Sequence, residues 1–241
     1  MIRFHFRRLG RWLRALWAYL SSLNESNEIH RRTDFATVQK PVLLIYGFGA
    51  TRRSVSVLEE RLRKEGFGVF TLRLGGFLGT FNTRAVDLLA GEVSDRIESL
   101  YQRFPLPRMT IIGVSKGGLI GRYYICNLGG NRRVHTLITL ATPHEGNPWL
   151  YLFFPILIGF FSKGIRQMLP GSSFLERLRR QPFPKDVSVI SIFSPADRVC
   201  SPRYCELALR DNVKNISIEG VHHAEFVLKR RAFDPILQAL R

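Results

Sequence analysis

Met109-Thr110-Ile111-Ile112-Gly113-Val114-Ser115-Lys116-Gly117-Gly118 runs from an apolar stretch into glycines gathered around one serine. Met109–Val114 reads as a strand buried on both faces, and Leu119–Leu128 as a helix, so Ser115 falls on the turn between them. Strand and helix nearly touch at so abrupt a turn, and the serine's neighbours have to be small. Gly113, Gly117 and Gly118 meet that need. A glycine-rich turn in any parallel sheet would read the same way, so the flanking chain has to decide.

Upstream, Pro41–Gly47 is a short apolar strand ending in Gly47-Phe48-Gly49. A helix over about 54–64, a strand over 69–74, a glycine-rich loop and an amphipathic helix over about 83–101 follow. Downstream, strands are expected over 134–141, 187–193 and 213–219, with a terminal helix over about 224–240 kinked at Pro235. Strands alternating with helices through short connections specify an α/β fold with a doubly wound, mainly parallel sheet. With 241 residues, 45% of them hydrophobic, the chain can bury one continuous core. We assign that domain to residues 40–241.

An insertion over about 147–182 breaks the alternation. Its apolar segment, Trp149–Phe161, contains Pro155 and Gly159 and is too short to cross a bilayer as a helix. A buried core helix is one reading of such a run; because the sheet already has helices for both faces, a lid over the carboxyl ends of the strands is the preferred one.

Residues 1–39 read as an N-terminal amphipathic basic helix and a polar linker. Ile2, Phe6, Leu9, Leu13, Leu16 and Leu20 share one stripe, Arg3, Arg7, Arg8, Arg11 and Arg14 lie opposite, and Trp12 and Trp17 fall on the borders. Apolar face, border tryptophans and arginines suit a helix lying in an anionic membrane surface. The 36 Lys+Arg against 19 Asp+Glu give a formal charge of +17, again favouring a polyanionic neighbour. Nucleic acid is not the expected partner, because no reading motif accompanies the charge. Cys126, Cys200 and Cys205 are too few for a zinc site and read as free thiols, with a Cys200–Cys205 bridge as the alternative. Free thiols fit a cytoplasmic protein, peripheral on the inner face of a membrane.

Ligands of open parallel sheets bind at the carboxyl ends of the strands. Ser115 follows the third strand, Asp197 the fifth (Ser194-Pro195-Ala196-Asp197), and His222-His223 the sixth. Serine, acid and histidine in that order, on three strand ends, make a nucleophile, an orienting carboxylate and a general base. The residues alone leave the base open between His222 and His223. The backbone N–H groups of Lys116, after the nucleophile, and Phe48, after the first strand, occupy the positions of an oxyanion hole. Asp186 precedes its strand and so belongs to the wrong end of the sheet, Glu145 is a more distant rival acid, and His144 reads as a brace for the adjoining loop. No metal-ligand spacing and no cofactor motif occurs, so none is expected.

Gly113-Val114-Ser115-Lys116-Gly117-Gly118-Leu119, Arg122-Tyr123-Tyr124 and Thr139-Leu140-Ala141-Thr142-Pro143-His144-Glu145-Gly146 together resemble the bacterial lipase and esterase branch of the α/β-hydrolases. That branch often carries a GHSxGG elbow, a Thr-Pro-His loop one strand later and a Val-x-His near the end. The resemblance covers about residues 41–241. It implies an α/β-hydrolase fold, a serine hydrolase acting on carboxylic esters of lipids, and His223 as the base, aligned through Val221-His222-His223. The chain departs from the pattern at Tyr46-Gly47, where the family commonly has His-Gly, at Val114, where the elbow histidine stands, and at Lys116, where an uncharged residue is usual. Lys116 either favours anionic substrates such as phospholipids or points away from the site. Acyl transfer at the same serine and a non-catalytic membrane- or partner-binding role are the alternative functions.

Overall fold

The computed structural model describes residues 35, 37–76, 81–150 and 162–241. The serine-bearing strand β3 (Met109–Val114) is buried at every position, as an apolar run without polar alternation requires. It lies between β1 (Pro41–Ile45) and β4 (Val134–Leu140). With β2 (Gly68–Thr71), β5 (Ser188–Phe193) and β6 (Val213–Ser217) they form one sheet in the order β2-β1-β3-β4-β5-β6. Every neighbouring pair is parallel. The chain leaves β1 toward β2 and returns on the other side as β3, so the strand order reverses between β1 and β3. A crevice opens at the carboxyl end of such a reversal. Because Ile45 pairs with Gly113, the loops after β1 and β3 leave the sheet at the same level.

Helices α1 (Ser56–Lys64), α2 (Val86–Arg103) and α3 (Lys116–Asn127) flank the sheet, with α2 packed on α3. Leu43, Leu44, Ile111, Ile112, Leu137 and Ile138 sit at the centre of one continuous core. Several ends differ from the periodicity. β1 stops at Ile45 because the Tyr46 carbonyl accepts from Asn82 Nδ2 at 2.7 Å. β2 stops at Thr71, and beyond it Leu74 N donates to the Tyr46 hydroxyl at 2.7 Å. The terminal helix is two pieces, a 3-10 turn at His223–Val227 and a later helix, Arg230–Leu240, with Pro235 inside it.

Of the insertion, the described parts are 147–150 and 162–182, the latter with the helices α4 (Lys163–Gln167) and α5 (Ser173–Arg180). Gln167 docks α4 on the start of α2: its Oε1 accepts from Val86 N at 2.6 Å and its Nε2 donates to Asp87 Oδ1 at 2.8 Å. A short helix α6 (Pro202–Cys205) precedes β6, and Arg230–Leu240 is α7. The amphipathic helix expected over 1–20, most of the linker after it and residues 151–161 of the expected lid lie outside the described residues. Among the described residues, no helix is long and apolar enough to cross a membrane.

Candidate active site

Ser115 has φ 53° and ψ −122°, a left-handed conformation that costs an L-residue energy and persists only where its surroundings enforce it. They do so here. Ser115 N donates to Leu140 O at 2.8 Å, and Ser115 O accepts from Gly118 N at 3.0 Å and Thr142 Oγ1 at 2.9 Å. A Cβ on Gly113 would stand 2.4 Å from Gly118 N, so the helix starts where it does only because both residues are glycine. The loop after β1 closes on the same side chain. A Cβ on Gly47 would lie 3.1 Å from Ser115 Cβ and 3.7 Å from its Oγ.

The loops after β5 and β6 are joined by Ser194, whose Oγ accepts from Ala196 N at 3.2 Å and Val221 N at 3.3 Å. Asp197 is 1% exposed. Its Oδ1 accepts from Val199 N at 2.8 Å and Cys200 N at 3.0 Å, and its Oδ2 lies 2.8 Å from His223 Nδ1. A carboxylate held this way fixes the imidazole tautomer, Nδ1 carrying the proton and Nε2 left as the basic nitrogen.

The other candidates lie elsewhere. His222 is exposed, its Nδ1 is 2.8 Å from Ala196 O, and its backbone N–H donates to Glu225 Oε2, closing the turn before α7. Asp186 pairs with Arg108 at 2.9 Å, and the same guanidinium donates to Asn131 O and Val134 O at the amino end of the sheet. Glu145 pairs with Arg179. His144 is buried with Nε2 3.1 Å from Thr139 Oγ1, and burial, reinforced by Arg122, drives its pKa well below the usual imidazole value. A neutral ring in that place braces the loop after β4. Cys200 and Cys205 are buried thiols with sulfurs 3.1 Å apart, and Cys126 is also free.

The departures at Tyr46, Val114 and Lys116 each have a place. Tyr46 is fully buried, its hydroxyl tied to Leu74, and Val114 packs into the core. Lys116 opens α3 with its backbone N–H in the first turn, where helix amides have no partner within the helix. Its side chain is fully buried, Nζ donating to Asn82 Oδ1 at 2.8 Å and to Arg84 O. Nζ is thus engaged by oxygens of the protein itself. Asn82, itself fully buried, is a residue the sequence did not single out. One asparagine beside a glycine-rich loop carries no periodic or spacing signal. No cluster of His, Cys, Asp and Glu among the described residues has a metal-binding arrangement.

Solved lipases share this architecture. The mature lipase BlEst2 of Bacillus licheniformis matches with a TM-score of 0.69 over 86% of this chain and 93% of that one, at 13% identity. Lipase B of Aspergillus fumigatus matches with a TM-score of 0.70 over 83% of this chain and 52% of that one, at 17% identity. At such identities the likeness is one of fold. In sequence, 87 residues are 32% identical to triacylglycerol lipase 2 of Saccharomyces cerevisiae; they make up 36% of this chain and 26% of that protein, so the match spans about a quarter of the relative. The family model for the alpha/beta hydrolase fold matches residues 40–165, just over half of the chain. The chain belongs to the alpha/beta hydrolase fold family.

Proposed function

We propose that this protein is a serine hydrolase that cleaves carboxylic esters of lipids through an acyl-enzyme. The observation that carries the reading is the 2.8 Å contact between His223 Nδ1 and the buried Asp197 carboxylate, on the sheet edge where Ser115 sits in its enforced turn. Ser115 Oγ attacks the ester carbonyl carbon as His223 Nε2 takes its proton. The carbonyl oxygen becomes an oxyanion received by the backbone N–H groups of Phe48 and Lys116. Collapse expels the alcohol, which takes the proton back from His223, and water repeats the sequence to release the acid. Asp197 stabilises the imidazolium throughout.

Lipid is the preferred ester class because the named relatives are lipases and the insertion opens on an apolar segment with Trp149 47% exposed. The basic excess, +17 over the chain, suits work at an anionic lipid surface. An ester panel varied in chain length and headgroup, run on wild type and Ser115→Ala beside fluorophosphonate labelling, tests this. Expected are an adduct on Ser115 and loss of turnover in Ser115→Ala. Folded wild type that takes no label and turns over no ester would overturn the reading.

A further inference from the structure

The two proposed oxyanion donors belong to different parts of the chain: Phe48 to the loop after β1, Lys116 to the first turn of α3. Sheet pairing aligns β1 with β3 only as far as Ile45 and Gly113. Beyond that point the Gly47-Phe48-Gly49 loop needs some other restraint to keep one distance from α3, and Gly49 is already in the left-handed region at φ 65°.

Asn82 supplies the restraint on the loop. Its backbone N–H donates to Ala50 O at 3.0 Å, its carbonyl accepts from Gly49 N at 2.9 Å, and its Nδ2 donates to Tyr46 O at 2.7 Å. Three bonds thus reach residues on either side of Phe48. The remaining polar atom, Oδ1, accepts from Lys116 Nζ at 2.8 Å. Nζ also donates to Arg84 O and lies 5.2 Å from the centroid of the Phe48 ring. One lysine therefore carries a backbone donor at its root and, at its tip, grips the residue that holds the loop of the other donor.

Stability does not account for a lysine here. Among the described residues its contacts are carbonyl oxygens and a ring face, with no carboxylate, and the adjacent Arg84 guanidinium repels it while pairing with Glu92. Burial and Arg84 together pull the pKa down to about 7, which measures how poorly the site favours a charge. An apolar side chain of similar length would fill the space at lower cost. What it would lack is the directional bond to Asn82.

We propose that Lys116 and Asn82 form a buried clamp that holds the Phe48 and Lys116 backbone N–H groups at one spacing, making both side chains positioning residues for the hydrolysis. The proposal rests on the serine-hydrolase reading of Ser115. The substitution Lys116→Met keeps the backbone donor and most of the volume, and removes only the grip.

The test compares wild type, Lys116→Met, Asn82→Ala and the double variant, each as the full chain, on a p-nitrophenyl ester and with an alkyl trifluoromethyl ketone. Ser115 Oγ adds to the ketone carbon, the C=O pair moves onto oxygen, and the serine proton passes to His223, leaving an anionic hemiketal in the hole. Misplaced donors should lower kcat by about 10- to 100-fold and weaken the ketone by the same factor, with KM within about twofold. The double variant should lose no more than the worse single one, because both break one device.

A folded Lys116→Met with wild-type kcat and ketone affinity would overturn the clamp, as would a loss confined to KM. Should Lys116→Met fail to fold, Asn82→Ala decides by the same two readings. If neither folds, the pair is structural and the proposal falls. Wild type without ester turnover or fluorophosphonate adduct removes the hydrolase reading and the clamp with it; an active wild type with unaffected variants removes the clamp alone.

Discussion

Asp197 divides its carboxylate between two tasks, and a single substitution separates them. Oδ1 anchors the backbone at Val199 and Cys200, while Oδ2 faces His223 Nδ1. In Asp197→Asn the amide oxygen can keep the anchor. The amide nitrogen then points its hydrogens at Nδ1 and forces the imidazole proton onto Nε2, where it blocks acceptance from Ser115. We expect kcat to fall by about 10⁴-fold with Tm changed by only a few degrees, read from steady-state kinetics and a thermal melt. A loss below about tenfold would remove Asp197 from the mechanism. Lys116 offers a second measurement at this scale. Its folded pKa of about 7 lies below the ordinary 10.5, so between these values the unfolded chain binds more protons and stability rises with pH. Below pH 7 the cost of burying the ammonium is present in full, and it fades toward pH 10. The Tm of wild type should therefore gain on that of Lys116→Met across pH 7 to 10 and run parallel to it below 7. Parallel curves at every pH would mean that Nζ keeps its proton. The serine and the acid were legible because each follows a largely apolar strand, and the histidine because it follows the last strand in the order a serine, acid and histidine set requires. The direction of the Lys116 side chain was not, since it is set by residues 82–84, more than thirty positions away.

Element α3 begins among glycines, against the usual preference of helices. Replacing glycine by alanine inside a helix commonly stabilises by about 0.5–1 kcal/mol. At Gly117 the sign should reverse, because a Cβ there would stand 2.0 Å from the Ile45 carbonyl oxygen, a backbone atom that cannot step aside. We expect Gly117→Ala to cost about 3 kcal/mol, the upper end for overpacking, measured by denaturant melts. Gly91, inside α2 with nothing within 4 Å of its Cβ position, is the matched control. There, alanine should stabilise by up to about 1 kcal/mol. Equal effects at the two sites would show that the strand and helix are not in contact at Ser115. The same crowding explains what the sequence left out of this helix. Periodicity starts at Leu119, yet the helix starts at Lys116, because packing against Ile45 enforces helical geometry on residues whose own preference is weak. Strand interiors were legible from short stretches rich in Val, Ile and Leu, unbroken in β1 and interrupted by polar residues in β4 and β6. The ends of β1 and β2 were not, because they depend on bonds between residues distant in sequence, at Tyr46, Leu74 and Asn82.

At the scale of the molecule, charge and fold act on different partners. The sheet follows from alternating apolar runs, and β1 and β3 meet at the strand reversal that places the Phe48 loop against Ser115. Few charged side chains enter that core, Lys116, Arg122, Glu59 and Asp197 among them, and most of the charge lies outside it. Acidic groups that pair on the surface, such as Glu98 with Arg133 and Asp87 with Lys163, leave a large basic remainder over the chain as a whole. Part of it stands on α5, whose last turn carries Arg177 and Arg180 beside the Glu145-paired Arg179. The five arginines of residues 1–20 form a second source, each worth about 1 kcal/mol near an anionic surface. If the protein works on such a surface, the full chain should bind phosphatidylserine-containing vesicles, ignore phosphatidylcholine vesicles, and release as salt shortens the Debye length toward about 3 Å at 1 M. Deleting residues 1–20 should weaken vesicle binding at least tenfold, because apolar stripe and arginines go together. Turnover of a short water-soluble ester should stay unchanged, since Ser115, Asp197 and His223 all lie outside the deleted segment. Binding by co-sedimentation and turnover on the same samples separate the two effects. Unchanged vesicle affinity in the truncation would assign the surface attraction to the domain itself, with α5 as the element to mutate next.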